Sequence, residues 1–329
     1  IPARGWKDIA WRLWAKVGED RVLLIAAGAT FYLLLALFPA LAAFVSVYGF
    51  VADPATIADH ISYIGGLLPS GGLEIIQGQL EALVTQNEDA LSVGFLTGLA
   101  IALWSANNGI KTLFEAMNVA YGEHERRSFL KLNLVAFAFT LGAVFVAILL
   151  IVSVGVVPAI MGAFGLSSIT DELIASLRWP IVFALIVMSI TMIYRYGPSR
   201  NRARWGWVVG GAILTSLVWL ATSIAFSWYL QNFANYGATY GSLGAVIGFM
   251  MWVWVSSVIF IVGAEINAEM EHQTALDTTD APEKPLGERG ARVADTIGKS
   301  SSKGRPAEVE KKGFFARIRS KAHKAKEAV

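Results

Sequence analysis

Cysteine is absent from the 329 residues, which excludes disulfides, thiolate catalysis and cysteine-ligated metals. Histidine is scarce: His60, His124, His272 and His323 are scattered, with no partner at metal-ligand spacing, so neither a metal nor a cofactor is expected. No glycine-rich phosphate loop with its lysine is present, which argues against an ATP-driven pump, and no serine stands in a nucleophile-elbow pattern. Charge is also sparse, at 16% against 55% hydrophobic residues, the balance of a largely lipid-embedded chain.

What the chain has is long apolar runs. A crossing takes about 20 helical residues, and six segments qualify, near 22–50, 91–110, 132–157, 180–196, 205–230 and 240–265. The first run is too long for a signal peptide and follows an amphipathic stretch, and the start at Ile1 implies that residues precede it. Short basic connections resist translocation. Arg4, Lys7, Arg12, Lys16 and Arg21 precede the first span, Lys111, Arg126, Arg127 and Lys131 follow the second, and Arg195, Arg200, Arg202 and Arg204 follow the fourth. The first and fifth connections carry no lysine or arginine, and the third has only Arg178. That alternation predicts an all-α, polytopic six-transmembrane-helix bundle, multi-pass, with both termini cytoplasmic. Trp179, Trp205 and Trp207 fall at the expected interfaces.

Three segments flank the spans. Residues 1–21 place Trp6, Ile9, Leu13 and Val17 at helical spacing, a short amphipathic helix on the inner surface, ahead of a membrane domain over 22–271. The loop after the first span starts at Asp53-Pro54 and breaks at Gly65-Gly66, predicting two short periplasmic helices over the outer mouth. From residue 272 onward there are 13 Lys/Arg and 8 Asp/Glu, leaving 14 of 27 and 17 of 25 to the rest. Its polar composition predicts a disordered basic cytoplasmic tail over 272–329, ending in an amphipathic helix at 314–326 suited to anionic lipid. Membrane lipids are the expected partners, nucleic acid is not, and a homo-oligomer is left open.

Polar residues inside the spans are the candidate site. Asn107, Asn108, Lys111, Glu115 and Asn118 recur every three or four residues, a stripe along one side of a helix. Lys111 and Glu115 are spaced to pair, and the stripe is expected near Glu265 and Glu269 at the inner end of the sixth span. The plain alternative is a helix end emerging into water. Pro39 predicts a kink in the first span, either a packing bend or a hinge beside a substrate path. Hydroxyls of the fifth span read as interhelical glue, and the pairs Gly94/Gly98, Gly206/Gly210 and Gly244/Gly248 as places of close helix approach.

Several stretches together resemble the YihY/BrkB family of bacterial inner-membrane proteins, also labelled ribonuclease BN. They are Ala26 to Pro39 (AAGATFYLLLALFP), Leu103 to Asn118 (LWSANNGIKTLFEAMN), Phe226 to Gly248 and Gly263 to Glu269 (GAEINAE). The resemblance runs from Trp6 to Glu271 and implies six helices with cytoplasmic termini and a link to envelope lipid export. A ribonuclease needs a metal-binding His/Asp cluster or a folded basic domain, and the sequence shows neither. The expectation is therefore a non-enzymatic protein moving a lipid-like, amphipathic or ionic substrate, with a structural scaffold as the alternative.

Overall fold

The computed structural model describes residues 3–51, 88–151, 168–232, 243–280 and 282–299. Its helices are α1 (Ala3–Glu19), α2 (Val22–Val51), α3 (Glu88–Ala120), α4 (Phe129–Ile151), α5 (Ser168–Tyr196), α6 (Trp205–Asn232), α7 (Gly244–His272) and the single turn α8 (Arg292–Asp295). Among the described residues the only extended pairing is an isolated bridge between Ala203 and Thr279. The chain is an all-α, multi-pass membrane protein. The expected periplasmic helices and the terminal helix at 314–326 lie outside the described residues.

The six expected spans are not all matched among the described residues. Among the described residues four helices are long and apolar enough to cross a membrane, Phe129–Leu149, Trp179–Tyr196, Trp205–Leu230 and Val246–His272. A fifth arises if Gly5–Glu19 and Val22–Leu37, bent by 59°, form one broken span. The bend falls at Asp20-Arg21, where Arg21 takes φ 50°, a left-handed conformation uncommon outside glycine. α2 and α3 nonetheless occupy the first two expected positions with 30 and 33 residues. α2 continues through Pro39 as one helix, and α3 comes close there: a Cβ on Gly98 would lie 3.5 Å from the Pro39 carbonyl oxygen.

α7 is the centre of the assembly, packing on α1, α2, α3 and α6. Small residues make this packing close: Ala264 and Ala268 of α7 share one core with Ala26 of α2, Ala116 and Ala120 of α3, and Ala212 of α6. α4 lies at the edge, where Phe129, Leu130 and Leu134 are exposed, as side chains facing lipid would be. Polar groups tie the spans together as anticipated for the fifth. The Tyr194 hydroxyl donates to the Phe260 carbonyl at 2.8 Å and lies 3.1 Å from Thr215 Oγ1, joining α5, α6 and α7. Trp219 donates from Nε1 to Ser256 Oγ at 2.9 Å.

The tight glycines are not the predicted α6 pair. Gly206 and Gly210 face open space, whereas Gly211 is pressed by the Asn267 side chain and Gly263 by Thr215 and Tyr194. A methyl group at Gly263 must displace buried side chains, and overpacking of this kind costs about 1–3 kcal/mol. We expect Gly263→Ala to lower the melting temperature of the detergent-solubilised protein, and Gly206→Ala to leave it unchanged.

The start of the tail is folded, contrary to the expected disorder from residue 272. Residues 273–280 and 282–299 return to the helix ends as a cap: Arg204 N–H donates to the Thr278 carbonyl, Asp280 N–H to Arg202, Asn201 N–H to Gly290, and Gly298 N–H to His272. Inside the cap, the Arg289 guanidinium donates to the carbonyls of Ala275, Leu276, Lys284 and Ala294. The Asp295 carboxylate accepts from the backbone N–H groups of Gly287, Arg289 and Gly290. Val293 and Ala294 are buried against the bundle. Composition misleads here because two charged side chains, not an apolar core, supply the bonds.

Candidate functional site

α7 does not end at residue 265. It continues to His272 and carries Glu265, Asn267, Glu269 and Glu271, each at most 1% exposed, into the interior. Three buried carboxylates in seven residues demand counter-charges, since an unpaired buried charge is costly. α1 brings two. Arg12 donates from Nε to Glu269, and Lys16 Nζ lies 3.4 Å from Glu265 Oε2 and 3.4 Å from Glu269 Oε1. Arg12 and Lys16 are four residues apart, as are Glu265 and Glu269, so two one-turn ladders of opposite charge meet.

Arg12 is a junction. Its guanidinium also donates to Gln273 Oε1 at 2.7 Å and to the Lys299 carbonyl at 2.8 Å, joining α1, α7 and the end of the cap. Lys16 adds a bond to the Ala120 carbonyl at the end of α3. Among the described residues Glu265 Oε1 has no hydrogen-bond partner, and Glu269 Oε1 has only the longer contacts to Lys16 Nζ at 3.4 Å and His272 Nδ1 at 3.7 Å, so both oxygens keep acceptor capacity.

The third carboxylate is held separately. Glu271 accepts two hydrogen bonds from Arg200, at 2.9 and 2.7 Å, and one from Thr278 at 3.0 Å. Both partners of that bidentate pair are 1% exposed. Arg200 also sits 4.2 Å from the Tyr121 ring centroid, a desolvated cation–π contact. Burial opposes the guanidinium charge, but Glu271 more than offsets it and holds Arg200 protonated. Burial and the neighbouring Glu271 push the Tyr121 hydroxyl up, so it stays neutral.

A second polar region lies beside this cluster, where the loops after α3 and α5 meet. An open pocket of about 510 Å³ is lined by Arg126, Arg127, Lys131, Arg195, Arg200 and Arg202, with Val135 and Phe139 on one wall. Four of its cations are paired: Arg126 with Glu123, Arg127 with Glu125, Arg195 with Asp280, and Arg200 with Glu271. Partial burial would raise the Glu125 carboxyl, yet the hydrogen bonds from Arg127 and Asn118 bring it down to about 2.

The candidates named from sequence divide into two groups. Glu265 and Glu269 are brought together, with α1 as their partner instead of the α3 stripe. Lys111 turns away from Glu115 and donates to Asn133 Oδ1 of α4 at 3.0 Å, while Asn107 approaches the same oxygen at 3.4 Å. Asn108 bonds the Trp104 carbonyl of its own helix, and Glu115 is exposed. Asn118, at the far end of the stripe, accepts from Ser199 N–H at 2.6 Å. Sequence reasoning missed Arg12, Lys16, Arg200 and Glu271 as site residues. The matching four-residue spacings of Arg12/Lys16 and Glu265/Glu269 were the signal available. Among the described residues no group of three or more His, Asp or Glu side chains is placed to hold a metal ion.

Comparison with known proteins accounts for most of the chain. The family described as Virulence factor BrkB matches residues 13–287, which takes in part of the cap. A putative ribonuclease-like protein, YfkH of Bacillus subtilis (strain 168), is 30% identical over 256 residues, covering 76% of this chain and 90% of the relative. UPF0761 membrane protein NMB0524 of Neisseria meningitidis serogroup B is 24% identical over 80% of this chain, which spans 63% of that relative's length. UPF0761 membrane protein VV0203 of Vibrio vulnificus is 22% identical, with 83% of this chain and 87% of the relative covered. No solved structure matches.

Proposed function

The chain belongs to the virulence factor BrkB family, and from that premise we propose that it is a bacterial inner-membrane protein, both termini cytoplasmic, that moves or accommodates an amphipathic or ionic substrate without chemical conversion. One observation carries the reading: Glu265 and Glu269 lie inside a helix long and apolar enough to cross a membrane, buried and facing cations on a different helix. Ionisable groups in such positions are expensive to keep and mark substrate or ion paths. Their partners sit on α1, which meets α2 at a 59° break, so changing the charge on α7 changes how firmly a separately hinged helix is held. The loop charges support the orientation. The non-enzymatic reading rests on what the carboxylates already hold, guanidinium and ammonium groups in place of an open metal position; the ribonuclease-like name belongs to the Bacillus relative.

The alternative is a scaffold, favoured by the complete pairing of Arg200 with Glu271 and by the folded cap. Glu265→Gln separates the two. The substitution keeps shape and removes charge, and Lys16 retains Glu269 at 3.4 Å, so the protein should stay folded. A translocating protein then loses its ability to restore detergent and antibiotic resistance to cells deleted for it, at unchanged abundance. Full restoration by a stably folded variant would remove Glu265 from the mechanism.

A further inference from the structure

The basic pocket has more positive charge than its neighbours neutralise. Glu123, Glu125, Asp280 and Glu271 answer four of its six cations. Among the described residues Lys131 and Arg202 have no carboxylate partner; Arg202 lies 4.8 Å from the centroid of the Tyr196 ring. Both are exposed at the pocket. Among the described residues no acidic side chain lines the cavity.

Two further features point to the ligand. α4 starts at Phe129, and Ser128 and Lys131 of its first turn line the pocket. The positive end of a 23-residue helix therefore joins the side-chain charges, an arrangement suited to an oxyanion. The other wall continues along α4 as Val135 and Phe139, next to the lipid-facing Phe129, Leu130 and Leu134. A soluble anion has no use for that wall, whereas a molecule with a hydrocarbon part does. The volume, about 510 Å³, is in the range of sites that enclose a small organic group.

We propose that this pocket binds the phosphate of an anionic amphiphile entering from the adjacent leaflet, with Lys131 and Arg202 contacting the phosphate and Val135 and Phe139 receiving the first carbons of its chain. The site is separate from Glu265 and Glu269, and binding holds whether or not the chain moves its ligand. A lipid headgroup and a free phosphate share the oxyanion chemistry, and the apolar wall selects the first.

The test is titration of the full-length, detergent-solubilised chain with dihexanoyl phosphatidylglycerol, the matched dihexanoyl glycerol lacking phosphate, and inorganic phosphate, followed by thermophoresis. The phosphatidylglycerol should bind at least about tenfold more tightly than either control, and Lys131→Gln/Arg202→Gln should weaken it about a hundredfold, tenfold for each lost charge-assisted contact. Both side chains are exposed, so the variant should keep the wild-type melting temperature; should the double variant fail to fold, Lys131→Gln alone must still lose about tenfold. Equal affinity for inorganic phosphate and the lipid would make the pocket a site for a soluble phosphate and overturn the amphiphile assignment. Equal affinity for the phosphate-free lipid, or an unchanged affinity in the folded variants, would overturn the site itself.

Discussion

Arg200→Met should destabilise the protein by about 3–5 kcal/mol, the cost of removing one partner from a buried ion pair. The guanidinium supplies two of the three hydrogen bonds that Glu271 receives, and with it gone a carboxylate 1% exposed keeps only the Thr278 hydroxyl. The contact with the Tyr121 ring is lost as well. The cause is the stranded charge, not the missing arginine as such, and this gives a second expectation. Arg200→Met combined with Glu271→Gln leaves no buried charge, and since replacing a whole buried pair is often near neutral, the double variant should melt above the single one. Size-exclusion profiles of fluorescent fusions after heating would show both. A double variant that melts lower than Arg200→Met would mean that the two side chains act independently.

Arg12→Ala should release α1 from the bundle. Arg12 is the residue through which α1 reaches Glu269, Gln273 and the Lys299 carbonyl at once, so its loss cuts the helix from the cap and leaves Lys16 as its charged tie to α7. Glu269 keeps Lys16 at 3.4 Å, which places the cost near the lower end of the range for a broken buried pair, about 3 kcal/mol. The native absence of cysteine makes the event readable. In an Ile9→Cys background the new thiol stands at a position 2% exposed, and its labelling by maleimide should be slow. Adding Arg12→Ala should accelerate labelling by about tenfold or more, which corresponds to about 1.4 kcal/mol or more in the opening equilibrium. Unchanged labelling would show that α1 is held by its apolar face alone.

The membrane nature of the chain, the position of α6 and the presence of two carboxylates, Glu265 and Glu269, late in the last long apolar run were legible in the sequence, because long apolar runs and polar residues within them are local signals. The partners of those residues were not. Arg12 and Lys16 read as the polar face of a surface helix, since nothing local reveals that the chain returns 257 and 249 residues later to meet them. Arg200 read as a topology signal for the same reason, although its pair is among the most deeply buried. Lys111 and Glu115 had the spacing of a helical pair, yet Asn133 on α4 offered Lys111 a neighbour that spacing within one helix cannot predict. The end of α7 was placed too early because Glu265 looked like an exit into water; tertiary ion pairs let the helix carry its carboxylates onward to His272. The cap escaped notice because polar composition stands for disorder only when charges lack fixed partners, and Arg289 and Asp295 have them.

Reconstitution of the purified chain into vesicles, with a fluorescent phosphatidylglycerol in both leaflets and a membrane-impermeant quencher outside, tests the translocation reading most directly. With and without an imposed pH gradient, wild-type protein should let quenching proceed beyond the outer leaflet, and Glu265→Gln, equally folded and equally incorporated, should slow it at least about tenfold, a change of about 1.4 kcal/mol. Quenching confined to the outer leaflet, as in protein-free vesicles, under every gradient would contradict the account.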